Sequence, residues 1–290
     1  MFFIKIITLI IITVVAPVTG FAQLERELAN PDRAVEHTFM APRNITAYTV
    51  EPLNKGEMHY SIMHTFGEVK TGVENLWGID QGANIRFSFE YGITKGWSLG
   101  FGRSSMDKVY DFTSRLALLR QSATGSVPIS VSIIPGFGIN TSSFGFLDTD
   151  YVFTDRLSGN ISMAVARKFS DKLSLQLTPV IAHFNRVGTE LSIEDPETNT
   201  YYSFIGSGRY KLYNRTALSA QFIPALSGGL NRNHNFSVGI DIETGGHVFQ
   251  MFFTTSNALN DAYLLASPNG KFFEREFRFG FNVNRLFKIR

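Results

Sequence analysis

From residue 56 to the C-terminus, apolar and polar residues alternate in short runs. In "EREFRFGFNVNRLF" (274–287), Phe277, Phe279, Phe281 and Val283 fall on one face, and Glu276, Arg278, Gly280, Asn282 and Asn284 on the other. A period of two is that of a β-strand, whose successive side chains point to opposite faces. The split recurs in "ANIRFSFEYGI" (83–93), where Ile85, Phe87, Phe89, Tyr91 and Ile93 oppose Asn84, Arg86, Ser88, Glu90 and Gly92. It recurs again in "NFSVGIDIE" (235–243), "KLSLQLTP" (172–179) and "KVYDFTSRLALL" (108–119). Twelve such runs are predicted, at about 56–66, 83–93, 96–104, 108–120, 126–139, 157–169, 172–184, 201–213, 215–225, 234–244, 246–256 and 275–287.

The connections sort by parity. The even-numbered ones are short: "TK", "QSATG", "SD", a single "N" and "TGG". The odd-numbered ones are long (67–82, 140–156, 185–200, 257–274), with "LSGGLNRNH" intermediate and "SSMD" modest. A soluble β-sandwich has no reason to sort its loops in this way. A membrane barrel does, because its periplasmic turns are tight and its extracellular loops extended. A run of ~10 residues rising ~3.3 Å each and tilted by about 40° covers ~25 Å, the height of a barrel's apolar band. The pattern therefore predicts an all-β fold: a transmembrane, antiparallel, up-and-down barrel of about 12 strands. The phenylalanine face would meet lipid, and the polar face a lumen. Trp97 and Phe287, near strand ends, suit an aromatic girdle.

Composition agrees with this reading. The chain is 13% aromatic, with 27 phenylalanines and 25 glycines, and 18% charged with a net charge of +2, which argues against a nucleic-acid partner or a disordered tail. It contains no cysteine, so neither a disulfide framework nor a lipoprotein attachment site is expected. The N-terminal "MFFIKIITLIIITVVAPVTGFAQ" combines Lys5, an apolar run from Ile6 to Ala16, Pro17, and small residues at Gly20 and Ala22. That order predicts a signal peptide over 1–22, too short to be read first as a membrane helix. Residues 23–55 would then be a periplasmic segment or a plug folded into the lumen, and 56–290 the barrel.

The segments "HTFMAPR" (37–43), "LRQ" (119–121), "ARKFSDKLSLQLTP" (166–179) and "IDIETGGHVFQMFFT" (240–254) resemble an uncharacterised family of outer-membrane β-barrel proteins of Gram-negative bacteria, a domain of unknown function. The resemblance covers most of the mature chain and implies location and fold, but no activity and no catalytic residues. The last strand, ending near Phe287, also looks like the C-terminal signal of outer-membrane barrels, which implies lipid and the barrel-assembly machinery as partners. Lys288 to Arg290 follow that aromatic and depart from the pattern.

The most functional-looking residues are the charges on the polar faces. Parity assigns Arg86, Glu90, Asp111, Arg115, Lys168, Arg209, Lys211, Asp241, Glu243 and Arg278 to the lumen. Twelve strands give a backbone diameter of roughly 25 Å, so such side chains either line a narrow pore or close it by pairing across it. The leading functional reading is a porin-like narrow channel or binding barrel for a small polar solute. The alternative is a structural barrel that docks a partner through its long outer loops, with both termini in the periplasm. A third is a lipid-acting hydrolase built on "HYS", since His59 and Ser61 share a strand face as base and nucleophile would. Parity turns that pair inward, however, and the residues that follow depart from the outer-membrane phospholipase pattern, so no catalytic residue is assigned.

No cofactor or metal is expected. His59 and His64, five apart, project to opposite faces of a strand. Asp148, Asp150 and Asp155 lack the glycine and terminal glutamate of an EF-hand loop. The pairs Gly228–Gly229 and Gly245–Gly246 read as turns rather than phosphate loops.

Overall fold

A computed structural model of the chain describes residues 33–143, 152–187, 193, 197–228 and 232–289. A two-stranded hairpin, β1 (Arg43–Asn44) and β2 (Ala47–Tyr48), precedes twelve longer strands. These are β3 (Glu57–Glu68), β4 (Asn84–Thr94), β5 (Trp97–Ser104), β6 (Tyr110–Leu119), β7 (Ser130–Ile139), β8 (Leu157–Lys168), β9 (Leu173–Phe184), β10 (Thr200–Tyr213), β11 (Thr216–Ile223), β12 (Asn235–Thr244), β13 (His247–Thr254) and β14 (Arg278–Lys288). Each pairs antiparallel with its chain neighbours, and β14 pairs with β3 to close the barrel. Closure leaves no sheet edge, which is what allows a β-structure to sit in lipid without unpaired backbone groups.

The two faces separate cleanly. On β4, Phe87 and Phe89 are each 44% exposed, whereas the intervening Arg86, Ser88 and Glu90 are buried. On β14, Phe281 stacks on His64 and Phe279 on Phe66 along the outer surface. Asn282 and Asn284 are buried inside. Further rings join across the exterior, Phe112 lying 5.1 Å from Phe101 and 4.8 Å from Phe137 between centroids. Side chains that would hide under a second layer in a soluble sheet are thus left outward, for lipid.

Two strands begin three or more residues later than the pattern predicts. The run 126–139 becomes strand only at Ser130, because Pro128 has no N–H for the ladder. The run 275–287 begins at Arg278, after Arg275 adopts a left-handed φ of 62°. Within β7, Pro135 keeps its place opposite Ile161 of β8, but the ladder to β6 skips from Gly136 to Ile133. The long connection from 257 to 274 contains a short α-helix, α1 (Asp261–Ala266), buried along its whole length, and a 3-10 turn at Phe272–Glu274.

Residues 38–53 lie inside the barrel, and 33–37 and Asn54 stand at its short-turn rim. The chain is tied to the β6–β7 connection, where the Val35 N–H donates to the Gln121 carbonyl and the Ala123 N–H to that of Arg33. It then passes inward through β1–β2 and returns to the same end, where the Gly56 N–H donates to the Gly92 carbonyl and β3 starts. Two apolar clusters fill the interior. One joins Phe39, Tyr48 and Val50 of this segment to Ile134, Ala164 and Ala166 of the wall. The other packs α1 against Phe184, Tyr201, Ile205 and Ile223 at the end of the barrel that bears the long connections.

Candidate functional site

The lumen is built from the inward residues of every strand, and its middle is ionic. Arg86 of β4 bonds Asp111 of β6, and Arg115 of β6 bonds Glu90 of β4 at 2.7 Å. All four are buried. Burying a guanidinium is costly unless its charge is paired, so these crossed pairs are what lets two arginines sit inside. Gly102 on the intervening β5 makes room for the first pair: a Cβ there would overlap the Arg86 guanidinium. Glu90 also accepts from the Ser98 hydroxyl.

The segment 33–54 fits onto this wall through its backbone. Gln221 of β11 accepts from the N–H groups of Thr46 and Ala47, and Gln176 of β9 accepts from that of Val50 while donating to the Tyr48 carbonyl. Asn282 donates to the Ile45 carbonyl at 2.6 Å and Gln250 to that of Arg43. Arg115 donates to the carbonyls of Pro42, Thr49 and Glu51, and Arg209 to those of His37 and Thr38. The Tyr48 ring lies beneath two guanidinium groups, Arg43 at 3.6 Å and Arg115 at 4.8 Å, and its hydroxyl is 3.0 Å from Thr113 Oγ1. From the opposite end of the barrel, Asp261 at the start of α1 receives Arg43. Beside it in α1, burial, and then the charge of Asp107, push the Tyr263 phenol well above its ordinary pKa.

The ten charges assigned to the lumen from parity therefore divide by depth. Arg86, Glu90, Asp111, Arg115, Arg209 and Asp241 are buried in the barrel's middle. Asp241 accepts from Ser219 and Gln250. Lys168, Lys211 and Glu243 stand near strand ends at the short-turn rim, where Lys168 reaches the Glu36 carbonyl, Lys211 is partly exposed and Glu243 is exposed. Arg278 lies at the other rim, on Glu68 at 2.6 Å. Charge alone did not single out Gln176, Gln221, Gln250 or Asn282. These neutral amides hold the segment, and their inward parity was the signal available for them.

The His59–Ser61 arrangement is not assembled. Both side chains are buried in the lumen; His59 Nε2 donates to Asn284 Oδ1 at 3.1 Å, and Ser61 Oγ has no hydrogen-bond partner. His64 is on the outer surface against Phe281. Asp155 accepts from the Val152 N–H and pairs with Arg186, while Asp148, Asp150 and Gly229 lie outside the described residues. Among the described residues no three acidic, histidine or cysteine side chains converge as metal ligands would.

A family model described as a membrane bound beta barrel domain (DUF5777) matches residues 39–287. No curated protein matches the sequence. Among solved structures, the chain is similar to an outer membrane channel from Pseudomonas putida F1, at a TM-score of 0.49 and 14% identity, covering 82% of this chain and 98% of that one. It is similar to the NanC porin, at a TM-score of 0.48 and 8% identity, with 80% and 99% covered. It is also similar to an active-site mutant of outer membrane phospholipase A from Escherichia coli, at a TM-score of 0.45 and 10% identity, with 85% and 96% covered.

Proposed function

The chain belongs to the membrane bound beta barrel domain family, and we propose that it is an outer-membrane channel for a small polar solute, held closed by its own residues 33–54. What supports a channel over a solid structural barrel is the way that segment is held. Its hairpin forms a sheet of its own and joins no strand of the wall. Wall side chains grip its backbone through hydrogen bonds, each of which exchanges for one with water at a net cost of about 0.5–1.5 kcal/mol for the neutral amides and about 1.5–3 kcal/mol for the charged donors Arg115, Arg209 and Lys168. Together with one ion pair, Arg43 to Asp261, and the packing of Phe39, Tyr48 and Val50, these contacts can be released while the closed ladder of twelve strands stays intact. The wall it uncovers is largely polar, with one apolar patch at Ile134, Ala164 and Ala166.

Liposome swelling tests the reading. The wild-type chain should admit small sugars slowly. Gln221→Ala with Asn282→Ala, which removes the grip on Ile45, Thr46 and Ala47, should speed swelling while the barrel stays folded by heat-modifiable gel mobility. A folded double variant with unchanged swelling would favour the second reading, a barrel that docks a partner. That reading draws on the apolar side chains left exposed on the long connections, Phe273 at 99% together with Val73, Leu76 and Trp77.

A further inference from the structure

The wall groups that touch segment 33–54 divide by charge. Its N–H groups are met by neutral amide oxygens, those of Gln221 and Gln176. Neutral wall groups also meet the carbonyls of Arg43, Ile45, Tyr48 and Val50, but those of Glu36, His37, Thr38, Pro42, Thr49 and Glu51 are met by cations. Lys168 Nζ donates to the Glu36 carbonyl at 3.1 Å, Arg209 Nη1 to those of His37 at 3.0 Å and Thr38 at 3.4 Å, and Arg115 to those of Pro42, Thr49 and Glu51. The deep carboxylates of the wall take no part. Glu90 is occupied by Arg115 and Ser98, Asp111 by Arg86, and Asp241 by Ser219 and Gln250.

Displacing the segment therefore has an unequal effect on the two signs. The three wall carboxylates keep their partners; Asp261 of α1, at the opposite end of the lumen, loses Arg43, which leaves with the segment. Arg115, Arg209 and Lys168 lose carbonyl oxygens, which carry partial negative charge, and face the vacated space as donors without acceptors. Even with the segment in place, donors remain unmet among buried arginines: Arg115 Nε, Arg209 Nε and Arg86 Nη1 have no acceptor. A buried donor without an acceptor costs free energy, so the vacated wall favours a solute rich in anionic oxygen. Rings of arginine and lysine select anions for the same reason.

We infer that the solute is a small organic anion, a carboxylate that also carries hydroxyl groups. Its anionic oxygens bind where the segment's carbonyls now sit, against Arg115, Arg209 and Lys168, and its hydroxyls meet neutral amides such as Gln176. This rests on the channel reading above and adds the charge of what passes.

Planar-bilayer recording of the full chain carrying Gln221→Ala and Asn282→Ala tests it. In a potassium chloride gradient the reversal potential should favour chloride by at least about threefold. Adding Arg209→Gln and Lys168→Gln should bring the ratio toward one. Neither residue has a carboxylate ion-pair partner among the described residues, so these replacements leave no buried acid alone. Glucuronate should block the current at concentrations where glucose, of similar size and without the carboxylate, does not, and the Arg209→Gln change should weaken that block. Potassium preference, or equal block by the two sugars, overturns the anion inference and leaves the channel standing. A folded barrel silent under every condition overturns both.

Discussion

Arg43 and Asp261 meet inside the barrel at 3.1 Å, the first from the N-terminal hairpin and the second from the helix of the last long connection. The hairpin enters from the short-turn end and the helix caps the opposite end, so this one ion pair joins the two closures of the lumen. Arg43 is 1% exposed and stacks on Tyr48, which in turn lies under Arg115 of the wall. Arg43→Ala should destabilise the barrel by about 3–5 kcal/mol, because it leaves a buried carboxylate alone. Asp261→Ala should cost a similar amount, and the double variant less than the sum of the two. Unfolding in detergent, followed by gel mobility against urea, would measure all three; strict additivity would mean that the closures are not coupled.

Phe252 is the one large aromatic of β13 that points inward, and it rests on two glycines. A Cβ at Gly280 would overlap its ring, and one at Gly239 would lie 2.7 Å from its Cβ. Gly280→Val should therefore overpack the interior and cost about 1–3 kcal/mol. Phe252→Ala, which opens a cavity, should cost about 3–5 kcal/mol. A lowered temperature of heat modification is the expected result for each.

On the outer surface, Phe87→Arg should cost roughly 2–4 kcal/mol near the membrane midplane and less toward either interface. Ser88→Ala, one residue along and inward, should have little effect. Equal tolerance of both changes in refolding into lipid vesicles would contradict the assignment of faces.

Sidedness can be read with single cysteines, since the chain has none of its own. Cysteine in place of Phe273, on a long connection, should react with a membrane-impermeant thiol reagent on intact cells. Cysteine in place of Asp171, in a short turn, should not. The reverse pattern would invert the orientation, placing the N-terminal segment's entry outside.

The barrel was legible because period two is a local signal: Phe279 against Asn282, or Phe87 against Arg86, states the face without knowledge of any other strand. Partners were not legible in the same way. That Arg86 finds Asp111 and Arg115 finds Glu90 depends on the register of β4, β5 and β6, which parity does not supply. The grip on residues 33–54 was less visible still, because it runs through neutral amides such as Gln221 and Asn282 to backbone groups that every residue possesses. Helix α1, a single buried turn and a half of "DAYLLA", is too short to display a helical period and is buried on every side. Lys211 and Glu243 share the inward parity of their deep neighbours Arg209 and Asp241, yet stand at strand ends where water reaches them.

The claim that residues 33–54 close the lumen is tested most directly by planar-bilayer conductance of two chains, one complete and one lacking 33–54, each verified as folded by heat-modifiable mobility. The complete chain should be silent or nearly so, and the shortened chain should show discrete conductance steps. A complete chain that conducts as freely as the shortened one, or a folded shortened chain that stays silent, would contradict it.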